Sequence, residues 1–415
     1  MSEFLIIATN ILLFLTLYMQ VLLLFTFFEK KNVFANTGGG KQTELQRYPI
    51  VTIIVPVFNE EKTLGGTIES LLSLDYPKDK LDILVVDDGS TDNTKTVANA
   101  YKSHPQVRVF SKTNGGKHTA VNLGISRAKG EFIGCLDADS FVDKEALSRI
   151  VRCFEDPQVM AVTPAIKVHT PENILQEMQS VEYNMGIFLR KVYGSMNAIH
   201  VAPGPFSIFR KEVFDKLGGY VKAHNTEDME FAMRMHKNHY PIANVYDSYV
   251  YTVTPKTVVG LYKQRLRWVY GFLANARDYK GMIFNKKYGN LGMFTLPAAV
   301  VSIFAALFFT ALALGRLFLS VTKKIMEIQA IGIPWRLEWP HFDWFFVNTS
   351  ETAVVVYALS LSTLFVIFVG KKLSGESMKP HISMLYFFLF YGIIAPAWLF
   401  KAVYNVAFNK KTKWR

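Results

Sequence analysis

The sequence is poor in cysteine and histidine, and these shortages exclude several kinds of site. Two of the 415 residues are cysteines, Cys135 and Cys153. They form no CxxC pair and no zinc-ligand spacing, so we expect two reduced thiols inside a cytoplasmic domain. The nine histidines show no metal-ligand spacing either, and nothing distinguishes His200 and His224 from ordinary loop residues.

Charged residues are also scarce, and acidic residues are scarcer than basic ones. Lys and Arg together number 46 and Asp and Glu number 34, which gives a net charge of +12. Nucleic-acid binding is one interpretation of such a balance. Because 50% of the residues are hydrophobic, a membrane protein with basic cytoplasmic flanks explains the balance better. We therefore expect a lipid membrane, and no nucleic acid, as a partner.

One stretch, residues 4–28, contains no charged residue at all. It is long enough to cross the hydrocarbon core of a bilayer. It lacks the basic front, the short apolar core and the small-residue cleavage site of a signal peptide. Lys30 and Lys31 follow it, so the positive-inside rule places the N-terminus outside and the chain from Lys30 onward in the cytoplasm.

Three more apolar segments lie near the other end, at residues 291–315, 352–370 and 382–400. Four spans with the N-terminus outside would put the C-terminus outside as well. The tail nevertheless holds basic residues that favour the cytoplasm: Lys401, Lys410, Lys411, Lys413 and Arg415. Either the last segment or the region 316–350 departs from this scheme.

Between the apolar segments, the chain alternates between strand and helix patterns. Apolar, β-branched runs predict buried strands at residues 51–57, 81–86, 107–110 and 132–136. Helical patterns cover 60–74 and 117–128, and the run 90–93 (STDN) offers capping residues for another helix. This alternation predicts an α/β domain with a mostly parallel, doubly wound sheet. No G-x-G-x-x-G follows the first strand, which argues against a dinucleotide oxidoreductase.

Polar and acidic residues gather where the predicted strands end. The first strand is followed by Asn59 and Glu60, the second by Asp87 and Asp88, and the fourth by residues 137–139 (DAD). In a doubly wound sheet, ligands bind beyond the carboxyl ends of the strands. The sequence therefore predicts the site at this edge.

Asp137-Ala138-Asp139 is the sharpest local feature. Two carboxylates placed two residues apart, just after a strand, can share one hard cation such as Mg²⁺ or Mn²⁺. Such a cation neutralises a diphosphate leaving group. A turn with two solvated Asp side chains is the simpler interpretation of an isolated DxD. Its position at the end of a buried strand favours the metal site.

Asp87-Asp88-Gly89-Ser90 allows two interpretations, and both can hold at once. Asp, Gly and Ser are turn formers, so the run could be a strand-to-helix turn. A carboxylate at this edge could also accept a hydrogen bond from a uracil N–H or a ribose hydroxyl.

Asn114-Gly115-Gly116-Lys117 leads into the predicted helix 117–128. Glycine-rich backbone at a helix N-terminus, followed by lysine, suits a diphosphate. The same composition is common in ordinary loops. Lys117 is nevertheless a candidate ligand for a nucleotide sugar.

Thr226-Glu227-Asp228 precedes a helical stretch and is also open to two interpretations. One is a helix N-cap followed by acidic residues that the helix dipole favours. The other is a general base that takes the proton from an acceptor hydroxyl. On sequence alone, we favour the cap.

Gln264-Arg265-Leu266-Arg267-Trp268 (QRLRW) lies in a predicted helix between Pro255 and Tyr279. Its two arginines suit phosphate oxygens, and Trp268 suits the face of a sugar ring. A helix at the membrane surface, with Trp at the interface and Arg at the headgroups, explains the same residues. The two interpretations are compatible.

Taken in order, the motifs DDGS, DAD, TED and QRLRW resemble those of the processive family 2 glycosyltransferases, the synthases of poly-N-acetylglucosamine, cellulose, chitin and hyaluronan. The resemblance covers about residues 50–280, and the flanking apolar segments fit it. It implies a GT-A fold, inversion at the anomeric carbon, a UDP-sugar donor, and Mg²⁺ or Mn²⁺ as cofactor.

The resemblance also implies roles for individual residues. Those expected to bind the nucleotide sugar are Asn59, Glu60, Asp87, Asp88, Lys117, Asp137, Gln264 and Arg267. Those expected to bind the metal are Asp137 and Asp139. Asp228 is expected to be the general base, with Glu227 beside it as the second catalytic residue. Those expected to line the acceptor site are Gly204, Pro205, Phe206 and Trp268.

The donor sugar is less well defined by the motifs. Pro205 and Phe206 look more like the chitin and hyaluronan synthases, whereas the segment 268–271 (WVYG) looks more like the poly-N-acetylglucosamine and cellulose synthases. UDP-N-acetylglucosamine is the donor we expect.

Together these features predict a multi-pass protein of the cell membrane with a cytoplasmic catalytic domain. We expect an N-terminal transmembrane helix (1–31), a GT-A domain (48–253), interfacial helices with the QRLRW motif (254–290), C-terminal transmembrane helices (291–400) and a basic tail (401–415). The C-terminal helices would form a channel for the growing glycan. The expected partners are the UDP-sugar, a glycan acceptor and the lipid membrane, and the resemblance leaves room for an accessory export subunit.

Two other functions compete with a processive synthase. A non-processive enzyme that adds one sugar to a lipid or glycan would share DDGS and DAD, but such enzymes usually lack QxxRW. An inactive scaffold or channel subunit is disfavoured because all the predicted catalytic carboxylates are present.

Overall fold

The computed structural model describes residues 3–30, 45–332 and 348–410. The described chain divides into two compact units. One contains the N-terminal helix up to Leu24 together with residues 298–365, and the other contains Phe25–Pro297 and the residues from Val366 onward. The predicted five-part division stays a prediction, and four residues named in it or in the topology argument lie outside the described ranges: Lys31, Lys411, Lys413 and Arg415.

Between residues 51 and 278 the chain alternates between strands and helices. The strands are β1 (Val51–Val57), β2 (Leu81–Asp87), β3 (Val107–Ser111), β4 (Phe132–Cys135), β5 (Ser140–Val142), β6 (Ala161–Val168), β7 (Ile208–Arg210) and β8 (Ile242–Thr252). The helices up to residue 278 are α1 (Glu3–Glu29), α2 (Leu64–Leu72), α3 (Thr94–Ala100), α4 (Lys117–Arg127), α5 (Ala146–Cys153), α6 (Ile174–Ser195), α7 (Lys211–Leu217), α8 (Glu227–Lys237) and α9 (Val258–Asp278).

The C-terminal third is helical in its described parts. A π-helical turn (Leu291–Thr295) leads into α10 (Leu296–Ile331). It is followed by α11 (Glu351–Leu373), α12 (Ile382–Tyr386), a second π-helical turn (Phe387–Tyr391) and α13 (Gly392–Ala407).

Within the described residues, the strands form one sheet in the order β3-β2-β1-β4-β7-β6-β8-β5. The strands β1 to β4 pair in parallel with one another, as the sequence predicts. Beyond β4 the sheet is mixed: β7 runs antiparallel to β4 and β6, β5 runs antiparallel to β8, and β6 and β8 are parallel. The predicted mostly parallel α/β fold is confirmed. The strands that pair only in the antiparallel direction, β5 and β7, have three residues each, which is too short to show a hydrophobic pattern in the sequence.

The sheet is buried on both faces, which explains why its first strands are apolar throughout. On one face Ile53 and Val55 pack in a cluster with Leu64 of α2. On the other face Ile54 packs in a second cluster with Val121 of α4. Helices therefore cover both faces, as a doubly wound sheet requires.

Asp82 is a buried charge at the start of β2, and side chains from the two neighbouring strands bind its carboxylate. Arg108 of β3 donates two hydrogen bonds to its carboxylate, at 2.8 and 2.7 Å. Thr52 of β1 donates a third at 2.7 Å. Because a buried charge is tolerated when it is paired and hydrogen-bonded, this group crosslinks β1, β2 and β3.

Both cysteines are free, as predicted. Burial raises the pKa of the Cys135 thiol to about 12. The thiol therefore stays protonated and unreactive at neutral pH.

The predicted helix 60–74 is shorter in the structure because its first residues form a loop. Asn59 adopts a positive φ of 56°, and its side chain accepts a hydrogen bond from the Thr91 N–H at 2.8 Å. The Glu60 N–H donates to the Thr94 hydroxyl at 2.8 Å. In the predicted capping run, residues 90–93, the Asp92 carboxylate accepts a hydrogen bond from the Thr94 N–H at 3.0 Å.

Four helices within the described residues are long and apolar enough to cross a membrane, judged by length and composition. They are Glu3–Glu29, Leu291–Ala330, Glu351–Leu373 and Ile382–Ala407. Each of the predicted C-terminal segments is therefore longer in the structure than its apolar core in the sequence. These helices support a membrane protein.

Candidate active site

The site lies at the carboxyl ends of the parallel strands, as the fold requires. The strand order reverses at β1, which has β2 on one side and β4 on the other. This is the topological switch point at which doubly wound sheets bind ligands. A cavity of about 1020 Å³ has walls formed by the residues that follow β1, β2 and β4.

The cavity gathers most of the residues that the sequence predicts. Those that line it are Glu60, Asp88, Lys117, Asp137, Asp139, Gly204, Pro205, Glu227, Asp228, Gln264, Arg267 and Trp268. They come from seven separate parts of the chain, so their convergence is a property of the fold.

Three predicted residues are not among the described residues that line the cavity: Asn59, Asp87 and Phe206. Asn59 holds the loop described above, and the Asp87 carboxylate accepts from the Ser90 N–H at 2.9 Å within its own turn. Phe206 is fully buried in the core. For Asp87 the structure favours the turn interpretation, and the ligand roles of all three stay predictions.

Asp88 is held by groups from the glycine-rich loop. Its two carboxylate oxygens accept from the N–H groups of Gly115 at 3.0 Å and Gly116 at 2.8 Å. Lys112 donates to it at 2.7 Å. Lys112 is a site residue that the sequence analysis missed. It lies just before the glycine-rich run Asn114–Lys117, and this position could have identified it as a candidate.

Asp137 and Lys117 form an ion pair of 2.5 Å in the cavity wall. Gly204 lies against this pair. A Cβ atom at position 204 would be 2.8 Å from the lysine nitrogen and 3.3 Å from each Asp137 oxygen. Glycine at this position therefore leaves room for the pair, a constraint that the sequence did not reveal.

The negative charge of Asp139 is unfavourable in this position. Burial, and then the charges of Asp137 and Glu60, raise its pKa to about 7. Among the described residues no group of three His, Cys, Asp or Glu side chains could hold a metal alone. Two carboxylates beside a phosphate site nevertheless suit Mg²⁺, which commonly takes one or two carboxylates and completes its shell with phosphates and water. The residues fit the predicted metal.

Asp228 lies half-buried at the start of α8. Burial, followed by the charge of Glu227, raises its pKa, while Lys117 and Arg267 act in the opposite direction. One carboxylate oxygen accepts from the Met229 N–H at 2.9 Å. A carboxylate with a raised pKa in a cavity is suited to accept a proton.

Thr226 is the N-cap residue of α8 and acidic residues follow it in the first turn, as the sequence predicts. Within the described chain its side chain bonds to no N–H of α8. Its hydroxyl instead accepts from the Asn275 side chain of α9 at 3.0 Å. The tertiary contact with α9 takes the place of a side-chain cap hydrogen bond, and it joins the residues beside Asp228 to the helix that carries QRLRW.

The arginines of QRLRW have different positions. Arg267 lines the cavity and donates to the Asn225 carbonyl at 3.0 Å. Arg265 is buried outside the lining residues and forms a two-pronged ion pair with Glu182 of α6, at 3.1 and 2.6 Å. The expectation that both arginines suit phosphate oxygens is therefore corrected for Arg265.

Trp268 lines the cavity beside this ion pair. The Arg265 guanidinium lies 4.2 Å from the centre of the Trp268 ring, and the Tyr391 hydroxyl hydrogen-bonds to Glu182. Sequence reasoning missed Glu182 and Tyr391, because their partner is far away in the chain.

One face of α6 also lines the cavity and was not predicted. Tyr183, Arg190 and Tyr193 reach it at helical spacing, and His200 follows in the next loop. Of these, only His200 was considered from the sequence, as an ordinary loop residue.

Comparisons with known proteins agree with this geometry. Residues 52–218 match the model of Glycosyl transferase family 2. A poly-β-1,6-N-acetyl-D-glucosamine synthase from Staphylococcus epidermidis is 27% identical over 351 residues, which cover 83% of each chain. The synthase of the same name from Staphylococcus aureus is 30% identical over 224 residues, 53% of this chain and 54% of its own.

A solved structure supports the fold. A mannosyltransferase from Pyrobaculum calidifontis, in complex with GDP-Man and Mn²⁺, superposes with a TM-score of 0.57 at 19% identity, covering 96% of this chain and 99% of its own. With the predicted motifs brought together at one switch point, the comparisons confirm the predicted enzyme class. Residues 52–218 form a family 2 glycosyltransferase domain, and the chain is similar over 83% of its length to a poly-β-1,6-N-acetyl-D-glucosamine synthase.

Proposed function

We propose that this glycosyltransferase polymerises a β-linked glycan from UDP-N-acetylglucosamine at the cytoplasmic face of the cell membrane. The observation that carries the proposal is the convergence of Asp137, Asp139, Asp228 and Trp268 on one cavity. The names of the most similar relatives support the donor. The four apolar helices support synthesis at a membrane.

The donor would lie along the edge formed by β1, β2 and β4. Asp88 is proposed to hold the uridine, and the Asp88 contacts with Gly115, Gly116 and Lys112 fix its position. Lys117 and Arg267 offer positive charge to the diphosphate. Gln264, one turn before Trp268 on α9, is proposed to assist them.

Asp228 is the proposed general base. It would take the proton from the acceptor hydroxyl as that oxygen attacks the anomeric carbon and the bond to UDP breaks. Its raised pKa makes it a stronger base than an exposed aspartate. Glu227 is proposed to maintain that basicity through its charge, and Pro205 and Trp268 to contact the acceptor.

Asp137 and Asp139 are proposed to hold Mg²⁺ or Mn²⁺. The cation would stabilise the charge of the departing diphosphate. Family 2 glycosyltransferases commonly use a divalent metal, and the donor set fits one.

The test is donor-dependent release of UDP by the detergent-purified protein. UDP-N-acetylglucosamine, UDP-glucose and UDP-glucuronate are compared with Mg²⁺ and with Mn²⁺. We expect release from UDP-N-acetylglucosamine, and loss of that release in Asp139→Asn. Asp79→Asn is the matched control, because the Asp79 side chain is 73% exposed, and it should keep full activity.

Two results would contradict the proposal. Faster release from another donor would overturn the sugar assignment. Addition of a single sugar, seen as one new product without a ladder of longer glycans, would replace polymerisation by the non-processive alternative.

A further inference from the structure

Arg190 is an unusual wall residue of the cavity because its charge has no acidic counterpart. In the described part of the chain its Nε atom is buried and has no hydrogen-bond partner. The ion pairs among the described residues do not include it, although its neighbours Glu182 and Lys191 make other polar contacts. A guanidinium has five N–H donors, and leaving the buried Nε–H without an acceptor is costly. Because Arg190 also lines the cavity, a ligand group that accepts hydrogen bonds from its other N–H donors would offset this cost.

The surroundings of Arg190 are aromatic and neutral. Tyr183 and Tyr193 line the cavity from the same helix. His200 contacts the Tyr193 ring, with ring centres 6.0 Å apart, and the Phe272 ring at 5.8 Å. Its Nδ1 atom is also buried without a partner among the described residues. A neutral imidazole has one donor and one acceptor nitrogen.

This composition differs from that of the proposed diphosphate site. The latter has carboxylates, a glycine-rich loop and the charges of Lys117 and Arg267, as phosphate binding requires. The Arg190 region offers a single planar cation, an imidazole and aromatic rings. Such a set suits an uncharged sugar with an amide substituent, because the rings pack on the sugar and the polar groups bind the amide.

We propose that Arg190 and His200 form a glycan subsite that binds the acetamido group of a sugar unit in the acceptor chain. This rests on the proposed function and deepens it. The Arg190 guanidinium donates to the acetamido carbonyl oxygen, and the imidazole contacts the amide N–H. A sugar with a free amine carries an ammonium group that only donates, so Arg190 disfavours it through both charge and hydrogen bonding.

Binding is tested without donor, so that the result does not depend on turnover. Purified protein is titrated with short β-1,6-linked oligomers of N-acetylglucosamine and with the same oligomers after deacetylation. We expect the wild type to prefer the acetylated oligomer. In Arg190→Gln the affinity for the acetylated oligomer should fall roughly ten- to a hundredfold, the range for a hydrogen bond from a charged donor. The preference for the acetylated over the deacetylated oligomer should shrink as well. Arg190→Lys should weaken binding but still disfavour the amine.

The controls separate this subsite from the rest of the enzyme. UDP affinity should be the same in all variants, which also shows that they are folded. Arg47→Gln removes an arginine whose side chain is 74% exposed, and it should bind both oligomers as the wild type does.

Several results would overturn the subsite. One is equal binding of the acetylated oligomer by the wild type and Arg190→Gln, and another is an unchanged preference of Arg190→Gln for the acetylated over the deacetylated oligomer. A third is that the wild type binds neither oligomer. A fourth is a loss of UDP affinity in Arg190→Gln, which would assign Arg190 to the donor site. Failure of the proposed function is seen separately, as absent release of UDP by the wild type.

Discussion

Asp228 is the residue on which the proposed chemistry depends most directly. Replacing it by asparagine keeps the shape and removes the base. We expect the rate of UDP release to fall by about 10²–10⁴, the usual contribution of a general base, with little change in UDP affinity. The measurement is steady-state UDP release together with UDP titration.

Asp215→Asn is the matched control for this substitution. Asp215 lies exposed on α7, and its variant should release UDP at the wild-type rate. If Asp228→Asn retained that rate as well, the proton would have to go to another group.

His200 predicts a pH dependence of stability. Burial, and then the charges of His236 and Arg190, lower its pKa to about 4, whereas an unfolded histidine has a pKa near ~6.5. Between these values the unfolded chain binds more protons than the folded one. The stabilisation is therefore complete above about pH 6.5 and is lost as the pH falls toward 4, at about 1.4 kcal/mol per pH unit at most.

The thermal midpoint of the purified protein between pH 7.5 and 5 measures this effect. The midpoint should fall with pH, and His200→Gln should make the fall less steep. An equal slope in the wild type and the variant would mean that His200 does not titrate as its burial implies.

At the scale of elements, the ion pair of Glu182 with Arg265 joins α6 to α9. The Arg265 side chain is 4% exposed and that of Glu182 is 31% exposed. Removing one partner leaves a buried charge, so Glu182→Gln should lower the free energy of unfolding by about 3 kcal/mol, the lower end of the range for buried pairs. Thermal unfolding of the detergent-purified protein measures it.

The chain offers a matched pair for comparison. Glu172 and Lys256 also form an ion pair, but their side chains are 60% and 52% exposed. Glu172→Gln should therefore cost less than about 1 kcal/mol. Equal effects of the two substitutions would contradict the structural role of Glu182.

The close approach of α9 to the start of α8 depends on Gly271. A Cβ at this position would lie 2.3 Å from the side chain of Thr226. Thr226 directly precedes Glu227 and Asp228, the proposed catalytic pair. Gly271→Ala should therefore displace one element from the other and reduce UDP release by about tenfold or more, since misplacing catalytic groups by about 1 Å can cost 10²-fold. UDP release at saturating donor is the measurement.

Gly281→Ala is its control. A Cβ at position 281 meets no atom of the described chain within 4 Å, so this variant should keep its activity. Loss of activity in both variants, or in neither, would contradict the importance of this contact.

At the scale of the whole molecule, the fold was largely predictable because its first strands are buried on both faces. Val51–Val57 and Leu81–Asp87 are nearly continuous apolar runs, and a parallel sheet places their carboxyl ends at one edge. The acidic residues after them therefore had to be close in space. Asp88, Asp137 and Asp139 were predictable on this ground.

Other parts depended on contacts between distant segments, and local patterns do not record these. The position of Thr226 at the N-cap of α8 was predictable, but the hydrogen bond between its hydroxyl and Asn275 was not, because Asn275 is on another helix. Arg265 looked like a phosphate ligand because Glu182 could not be placed beside it. Arg190 gave no sequence signal, since its importance comes from what surrounds it in the cavity.

Topology is set by the apolar helices and the basic residues together. Four spans would place both ends of the chain on one side of the membrane. If the unit that contains the candidate active site is cytoplasmic, as proposed, that side is outside, although Lys401 and Lys410 favour the inside. The two requirements conflict, and the proposal of a cytoplasmic site rests on Lys30 and on the UDP-sugar donor rather than on the C-terminal residues.

The central claim, that the chain polymerises N-acetylglucosamine, is tested most directly by its product. Purified protein in detergent or vesicles is given radiolabelled UDP-N-acetylglucosamine with Mg²⁺, and the product is sized before and after digestion by a β-N-acetylhexosaminidase. We predict that the wild type makes a ladder of glycans, which the hexosaminidase degrades to N-acetylglucosamine, and that Asp228→Asn makes no ladder. A single labelled adduct from the wild type, or a ladder that persists in Asp228→Asn, would contradict the account.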